Sequence, residues 1–235
     1  EVPYAHDEIC EAIAATVREN KLHECYIRPI AFIGAGAMGL YAKGNPIHLA
    51  IAAWSWGAYL GEDGINNGIK VKTSSFVRGH VNSNMTMAKV CGYYVNSQLA
   101  KNEAISCGYD EALLLDTEGY VSEGSGENVF IERGGALKTT PLTSILEGIT
   151  RESVIKIARD QGIVVREERF TRDEVYISNE AFFTGTAAEI TPIRELDGRA
   201  VGTGEPGPIT KKIQTIFFDT VKGKVDTYGS WLTHI

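Results

Sequence analysis

Short strands separated by tight turns occupy the middle of this chain of 235 residues, and they restrict its fold more than any other feature. Residues 110–116 and 119–122 are predicted to pair about one tight turn, and residues 128–132 and 136–140 about Gly134-Gly135. This region therefore predicts a sheet that contains hairpins. Helical patterns before and after it place the chain in the α/β (α+β) class.

Hydrophobic periodicity and turn residues set the remaining elements. The predicted helices are residues 6–20, 89–106, 150–161, 171–177 and 209–221. The further predicted strands are residues 25–33, 47–56, 69–77, 163–170 and 181–184, followed by a hairpin about Asp197-Gly198. Val95, Leu99 and Ile105 are among the apolar positions of the second helix, and Thr150 is the predicted cap of the third.

A glycine-rich, polar stretch at residues 57–68 has the composition of a domain boundary. We therefore predict a small α/β domain over residues 1–58, a linker over residues 59–67 and a large domain over residues 68–235.

Charge and cysteine usage exclude several classes of function. The net charge of −7, from 23 basic and 30 acidic residues, argues against nucleic acid as a partner. No apolar run is long enough to span a membrane, and the first residues lack a signal-peptide pattern, so a cytoplasmic protein is predicted. The cysteines show no metal-ligand spacing and are predicted to be buried free thiols in a reducing compartment, with no metal site: Cys10, Cys25, Cys91 and Cys107.

Lys89 lies at the centre of the stretch that we predict to carry the chemistry, residues 84–94. A lysine whose pKa is lowered is a good amine nucleophile and forms Schiff bases with carbonyl compounds. Most lysines are solvated surface charges, so the spacing alone does not distinguish a catalytic Lys89 from an ordinary one.

Two short segments have the composition of anion-binding turns. Gly148-Ile149-Thr150 precedes a predicted helix, whose free N–H groups suit a phosphate. Residues 185–189 follow an apolar strand and allow a ligand to approach the backbone closely. A helix cap and a tight turn are the structural alternatives.

Charged residues near strands complete the set. Residues 122–128 include Glu123 and Glu127; one of them could face a buried site, and the other is expected to be a solvated carboxylate. Tyr26 and Arg28 share one face of a strand, where Arg28 could bind a carboxylate or could be a surface residue. A lysine amine, an acid, two anion-binding turns and an arginine together suit pyridoxal 5′-phosphate.

In a fixed order over nearly the whole chain, several stretches resemble the branched-chain-amino-acid aminotransferases, fold type IV enzymes that use pyridoxal phosphate. The matching stretches are residues 26–29, residues 56–59, Ala88-Lys89 with Tyr94, Ser122-Glu123-Gly124 with Glu127-Asn128, residues 148–151 and residues 185–192.

The resemblance implies a role for each matched residue. Lys89 would form the Schiff base and move the proton, Glu123 would pair with the pyridine nitrogen, and Tyr94 would contact the phenolic oxygen of the ring. The implied phosphate-binding residues are Leu146, Gly148, Ile149, Thr150 and Thr186. The implied substrate-binding residues are Tyr26, Arg28, Trp56, Tyr59, Ala187 and Ala188, with Arg28 binding the side-chain carboxylate of glutamate.

The implied reaction is reversible transfer of an amino group between L-leucine, L-isoleucine or L-valine and 2-oxoglutarate, with glutamate and branched 2-oxo acids as the other partners. The resemblance also implies a homodimer or an assembly of dimers, in which the loop of residues 34–40 closes over the partner subunit's site. The alternatives are a D-amino-acid aminotransferase, an aminodeoxychorismate lyase, or a non-catalytic remnant acting through its dimer face.

The resemblance also covers what precedes Glu1. Similar enzymes have an N-terminal segment that forms much of the small domain and supplies an arginine to the cofactor phosphate. The resemblance thus implies that residues 1–58 are a partial small α/β domain and that residues 68–235 are a large, barrel-like α/β domain that binds the cofactor. We therefore expect a longer native polypeptide, and weak cofactor binding by residues 1–235 alone.

Overall fold

The computed structural model describes residues 2–57 and 59–235. These residues form two compact units. The first unit ends at Gly57 and includes Thr233–Ile235, and the second comprises the described residues that follow, to Leu232. Each unit has its own sheet.

The first unit is a helix on a two-stranded sheet. Helix α1 is His6–Glu19, strand β1 is Tyr26–Ile33 and strand β2 is Ile47–Trp54. The strands are antiparallel, from Tyr26 opposite Trp54 to Ile33 opposite Ile47, and α1 packs on β2. The predicted helix and both strands are confirmed, each to within two residues at the ends.

A single side chain organises the glycine-rich loop between β1 and β2. Asn45 Oδ1 accepts the N–H of Ala37 at 2.9 Å, and Asn45 Nδ2 donates to the carbonyl oxygens of Gly34 at 3.3 Å and of Ala37 at 3.2 Å. These side-chain hydrogen bonds add to the backbone hydrogen bonds from Gly34 to Pro46 and from Asn45 to Ala42 that also hold the loop.

Within the described part of the second unit, nine strands form one sheet. The strands are β3 Ile69–Thr73, β4 Glu111–Leu115, β5 Val121–Gly124, β6 Asn128–Arg133, β7 Ala136–Thr139, β8 Val164–Glu167, β9 Glu180–Gly185, β10 Glu189–Leu196 and β11 Arg199–Ala200. Their order is β5-β4-β3-β10-β9-β6-β7-β8, with β11 beside β10. The pairs β3–β4, β3–β10 and β7–β8 are parallel and the other pairs are antiparallel. The predicted hairpins β4–β5, β6–β7 and β10–β11 are confirmed.

Helices flank this sheet. They are α2 Glu62–Asn67, α3 Val81–Asn84, α4 Tyr94–Ser106, α5 Ile149–Asp160, α6 Arg172–Tyr176 and α7 Pro208–Val221, with short 3-10 helices at Cys91–Tyr93 and Asp226–Trp231. The stretch predicted as a linker contains α2, which is bounded by Gly61 and Gly68 at φ of +79° and +81°. These glycines end the helix on both sides, where a left-handed backbone favours glycine.

The central strands are buried on both faces. On β6, Val129 and Ile131 enter one apolar cluster, while Phe130 enters the other, against α5 and α7. Phe130 stacks on Phe182 of β9 with their ring centroids 5.1 Å apart. Side chains alternate between the two faces of a strand, so the core consists of two layers separated by the sheet.

The buried face of α4 is formed by small side chains. The expected apolar positions Val95, Leu99 and Ile105 are 60%, 45% and 54% exposed, whereas Ala100 and Ala104 are buried. The two alanines pack against β4, and their small side chains let the helix lie close to the strand. The buried face of α4 is therefore set by closeness to the sheet and not by the size of the apolar side chains.

Two expectations need correction. The N-cap of α5 is Gly148, and Thr150 lies buried in the first turn of the helix. The cysteines are free thiols, but none is buried among the described residues: Cys10, Cys91 and Cys107 are exposed and Cys25 is half-buried. Cys10 lies in α1, Cys25 directly before β1, Cys91 at the start of a 3-10 helix and Cys107 at the end of α4.

Two absences hold for the described residues. No group of three His, Cys, Asp or Glu side chains there could hold a metal ion. Nor does any helix in that part of the chain have the length and apolar content needed to cross a membrane.

Candidate active site

A cavity of about 370 Å³ opens in the second unit. All eight residues predicted to bind a cofactor line it: Lys89, Tyr94, Glu123, Leu146, Gly148, Ile149, Thr150 and Thr186. They come from the segment before α4 and the first residue of that helix, from β5, from the segment that leads into α5 and its first turn, and from the turn after β9. The fold thus brings together residues that are up to 97 positions apart in the sequence.

Lys89 precedes the 3-10 turn that leads into α4. Its Nζ donates a hydrogen bond to Tyr94 Oη at 2.8 Å and lies 5.4 Å from the centroid of the tyrosine ring. Tyr94 therefore fixes the position of an amine that remains open to the cavity.

Glu123 is a buried carboxylate in the cavity wall, on β5, with 4% of its surface exposed. Its Oε2 accepts the backbone N–H of Leu146 at 3.1 Å and Nδ2 of Asn128 at 3.2 Å. Arg78 Nη2 lies 2.6 Å from Oε1, yet that oxygen accepts no aligned hydrogen bond in the described structure. Burial raises the pKa of Glu123 to about 7, against the opposing effect of the Arg78 guanidinium.

Glu127 is also buried, which corrects the expectation that one of the two glutamates is solvated. It is 4% exposed, lines the cavity and accepts the N–H of Gly126 at 3.0 Å. Burial first, and then the charge of Glu111, raise the pKa of Glu127 to about 8. Residues 122–128 are mostly polar, but most of them lie inside the molecule because β5 and β6 are both buried strands.

The start of α5 offers donors for an anion. Gly148 occupies the N-cap with extended backbone, and none of the described side chains caps the helix. A Cβ built on Gly148 would lie 2.1 Å from Asn128 Oδ1, so only glycine fits here. The first backbone N–H groups of a helix lack intrahelical partners and lie at the positive end of the helix dipole.

Asn128 connects two parts of the cavity wall. Its Nδ2 donates to Glu123 Oε2 at 3.2 Å and to the carbonyl oxygen of Leu146 at 2.9 Å. Sequence reasoning assigned no role to Asn128 or to Arg78. Asn128 could have been found as an amide at the start of a buried strand beside an acid, whereas Arg78 lies in an irregular segment without a motif.

The predicted substrate-binding residues are placed less uniformly. Tyr59 belongs to the second unit, with Lys101 Nζ 5.3 Å from its ring centroid, and partial burial followed by the charges of Glu127 and Glu111 raises its pKa. Ala187 and Ala188 form the turn between β9 and β10, beside the lining residue Thr186 but not in the lining itself.

Tyr26, Arg28 and Trp56 belong to the first unit. The rings of Tyr26 and Trp56 meet edge to face at 4.6 Å, and the Arg28 guanidinium lies 5.2 Å from the Tyr26 ring centroid and 5.5 Å from that of Trp54. Arg28 is exposed and held over aromatic rings, an arrangement that keeps its charge available to a carboxylate.

Comparison with known proteins places these features in a family. The model of the amino-transferase class IV family matches residues 1–196. The chain belongs to the class IV aminotransferases. Its fold is accordingly fold type IV, a mixed α/β fold with a curled sheet.

Individual relatives cover nearly all of this chain. The branched-chain-amino-acid aminotransferase of Pseudomonas aeruginosa is 56% identical over 233 residues, which are 99% of this chain and 76% of the relative. That of Escherichia coli K12 is 44% identical over 231 residues, 97% of this chain and 75% of the relative. The chain therefore spans about three quarters of the length of these relatives.

Solved structures of branched-chain amino acid aminotransferases also match the fold of this chain. A crystal structure of the T.th. branched-chain amino acid aminotransferase with pyridoxamine 5′-phosphate superposes with a TM-score of 0.96 at 48% identity, covering 100% of this chain and 77% of that one. The Escherichia coli enzyme gives a TM-score of 0.97 at 44% identity, covering 100% and 78%.

Proposed function

We propose that this chain is a pyridoxal-phosphate-dependent transaminase that moves the amino group between L-leucine, L-isoleucine or L-valine and 2-oxoglutarate. The observation that carries the proposal is one cavity lined by the Lys89 amine, the buried Glu123 carboxylate and the uncapped start of α5. The names of the relatives, at 44–56% identity, supply the substrate class.

The cavity fits pyridoxal 5′-phosphate. Lys89 Nζ would hold its aldehyde carbon, and the carboxylate of Glu123, which lines the cavity, would accept the N–H of the ring. The N–H groups of Ile149 and Thr150, together with Thr186, would hold the phosphate. When bound, this cofactor supplies a ring that accepts the electron pair released from the substrate carbon.

Lys89, Glu123 and Asn128 have separate roles in the proposed reaction. Lys89 Nζ takes a proton from the substrate carbon and returns it, because its amine lies in the cavity and is positioned by Tyr94. Glu123 holds a proton on the ring nitrogen through a charge-assisted hydrogen bond. Asn128 keeps the Glu123 carboxylate at a set distance from the Leu146–Gly148 turn.

The further roles in this proposal rest on the family resemblance. Tyr26, Arg28, Trp56, Tyr59, Ala187 and Ala188 are predicted to bind substrate, with glutamate and the branched 2-oxo acids as the other partners. A homodimer, or an assembly of dimers, and a cytoplasmic location belong to the same prediction.

The experiment is a spectrum of the purified protein with pyridoxal phosphate, before and after addition of L-leucine. We expect the visible band of the bound aldehyde form to fall as the amine form accumulates. A larger response to D-alanine would favour a D-amino-acid aminotransferase, and no response to any amino acid would contradict the proposal.

Borohydride reduction tests the residue assignment. Reduction of the pyridoxal-phosphate complex followed by peptide mapping should label Lys89. Lys89→Arg should remove the label, while Lys70→Arg, on β3 and outside the cavity lining, should keep it. A label on another lysine would refute the role of Lys89.

A further inference from the structure

Three buried carboxyl groups lie together at and behind the cavity wall. Glu111, Glu123 and Glu127 are 0%, 4% and 4% exposed. They come from β4, β5 and the β5–β6 connection. Burying an ionised carboxylate is costly unless a cation or several hydrogen bonds compensate it.

Cations pair with two of the three carboxyls. Lys101 Nζ of α4 lies 2.7 Å from Glu111 Oε2, and Arg78 Nη2 lies 2.6 Å from Glu123 Oε1. Within the described residues, no lysine, arginine or histidine forms an ion pair with Glu127. If all three carboxyls were ionised, this cluster would carry one uncompensated negative charge in the interior.

The surroundings of Glu127 do not replace the missing cation. Its Oε2 accepts the N–H of Gly126 at 3.0 Å and lies 2.6 Å from the point where a Cβ on Gly124 would stand. Its Cγ lies 3.7 Å from the corresponding point on Gly185. Glu127 is thus packed between glycine backbones, which leave room for the side chain but supply little charge.

We propose that Glu127 is the uncharged member of the cluster, and that its bound proton keeps Glu123 the ionised carboxylate of the cavity. Glu127 is then a positioning residue: it sets the charge of Glu123 without contacting the reacting atoms. The part of the proposal that concerns Glu123 as the acceptor for a ring nitrogen rests on the proposed function.

The charged groups around Glu127 support this distribution. The carboxylates of Glu111 on β4 and Glu123 on β5 both raise its pKa, while the charge of Lys101 on α4, which is paired with Glu111, lowers it. The charges of Glu127 and Glu111 also raise the pKa of Tyr59, which lies in the segment before α2. Burial raises the pKa of both carboxyls, but the Arg78 guanidinium lowers that of Glu123, whereas Glu127 has no ion-pair partner among the described residues. The proton is therefore held by Glu127.

Infrared spectroscopy of the cofactor-free protein tests the assignment, since the C=O stretch of a neutral carboxylic acid is separate from the bands of a carboxylate. At about pH 7.5, well above the ordinary pKa of a glutamate side chain, we expect a buried carboxylic-acid band. Incorporation of isotope-labelled glutamate should shift the band and so assign it to glutamate.

Two matched variants decide which residue carries the proton. Glu127→Gln keeps the shape of the neutral acid and should abolish the band, whereas Glu123→Gln should retain it. Loss of the band in Glu123→Gln, or its persistence in Glu127→Gln, would overturn the proposal.

A titration of the unmodified protein provides a measurement that needs no variant. The band should disappear with a midpoint near pH 8, and absence of the band at about pH 7.5 or a midpoint near the ordinary glutamate value would again refute the proposal. These readouts require neither cofactor nor turnover. A failed transamination assay would therefore contradict the proposed function without affecting this result.

Discussion

Burial raises the pKa of Glu123, while the ion pair with Arg78 lowers it. Its carboxylate is 4% exposed, faces Arg78 and is bonded by two N–H donors. In Glu123→Gln the shape is kept and the charge is lost. Losing one charge-assisted hydrogen bond costs about 1.5–3 kcal/mol, so the half-reaction with L-leucine should slow by about 10- to 150-fold.

Single-turnover rates of the L-leucine half-reaction measure this effect. Glu205→Gln, which removes an exposed carboxylate outside the cavity lining, is the control and should match the parent protein. Unchanged rates in Glu123→Gln would exclude the proposed role.

Arg28 differs from Glu123 in being exposed and held over aromatic rings. If it binds the side-chain carboxylate of glutamate, Arg28→Leu should lower kcat/KM for glutamate by about tenfold more than for leucine, the effect of one hydrogen bond to a charged group. Arg18→Leu on α1 controls for a general loss of positive charge. An equal loss for both substrates would count against this role.

At the scale of elements, the contact between β6 and the start of α5 depends on one glycine. Gly148 has φ −84° and ψ 131°, which alanine can adopt, so the clash with Asn128 Oδ1 is the main obstacle to Gly148→Ala. Overpacking of this kind costs about 1–3 kcal/mol. We expect a lower free energy of unfolding and weaker binding of pyridoxal phosphate.

Urea unfolding and a fluorescence titration with the cofactor measure both effects. Gly229→Ala is the matched control, because a Cβ there would have no heavy atom within 4 Å. If Gly148→Ala behaved like this control, the close contact between Gly148 and Asn128 would affect neither the free energy of unfolding nor the binding of the cofactor.

Elements whose signals are local were predictable from the sequence. The β6–β7 hairpin follows from Gly134 and Gly135, which take φ of +62° and +79°, and α6 begins after Thr171 as expected. The buried side of α4 was not predictable, because Ala100 and Ala104 are buried by their closeness to β4 and not by their hydrophobicity.

The same distinction applies to the site. Lys89 and Glu123 were assigned through the family resemblance, since neither has a distinctive spacing. Arg78 was missed because its contact with Glu123 joins segments far apart in the sequence, whereas Asn128, five residues after Glu123, could have been found beside that acid. Burial of Glu127 was missed because a run of glycine, serine and glutamate resembles a surface loop.

For the molecule as a whole, the buried carboxyls determine how stability depends on pH. The folded protein without cofactor holds protons on Glu123 and Glu127 up to pKa values of about 7 and 8, above the ordinary glutamate value of 4.5. The folded state therefore binds more protons than the unfolded state between about pH 5 and 8, and the free energy of unfolding should fall as pH rises through this range.

Urea midpoints at about pH 6 and pH 8 test the sign of this dependence. The double variant Glu123→Gln with Glu127→Gln should be nearly flat over the same interval. Carboxyls whose pKa is lowered, such as Glu167 beside Arg151, affect stability only at more acidic pH. A parent protein that gained stability toward pH 8 would contradict the prediction.

Strand β6 belongs to both core layers and to the site at once. A one-residue insertion or deletion between Asn128 and Ile131 would exchange Phe130 with its neighbours across the sheet. The same shift would remove the Asn128 amide from Glu123 and Leu146. An insertion or deletion in this strand would therefore disrupt both the core packing and the site. New specificities could evolve at this strand by substitution alone.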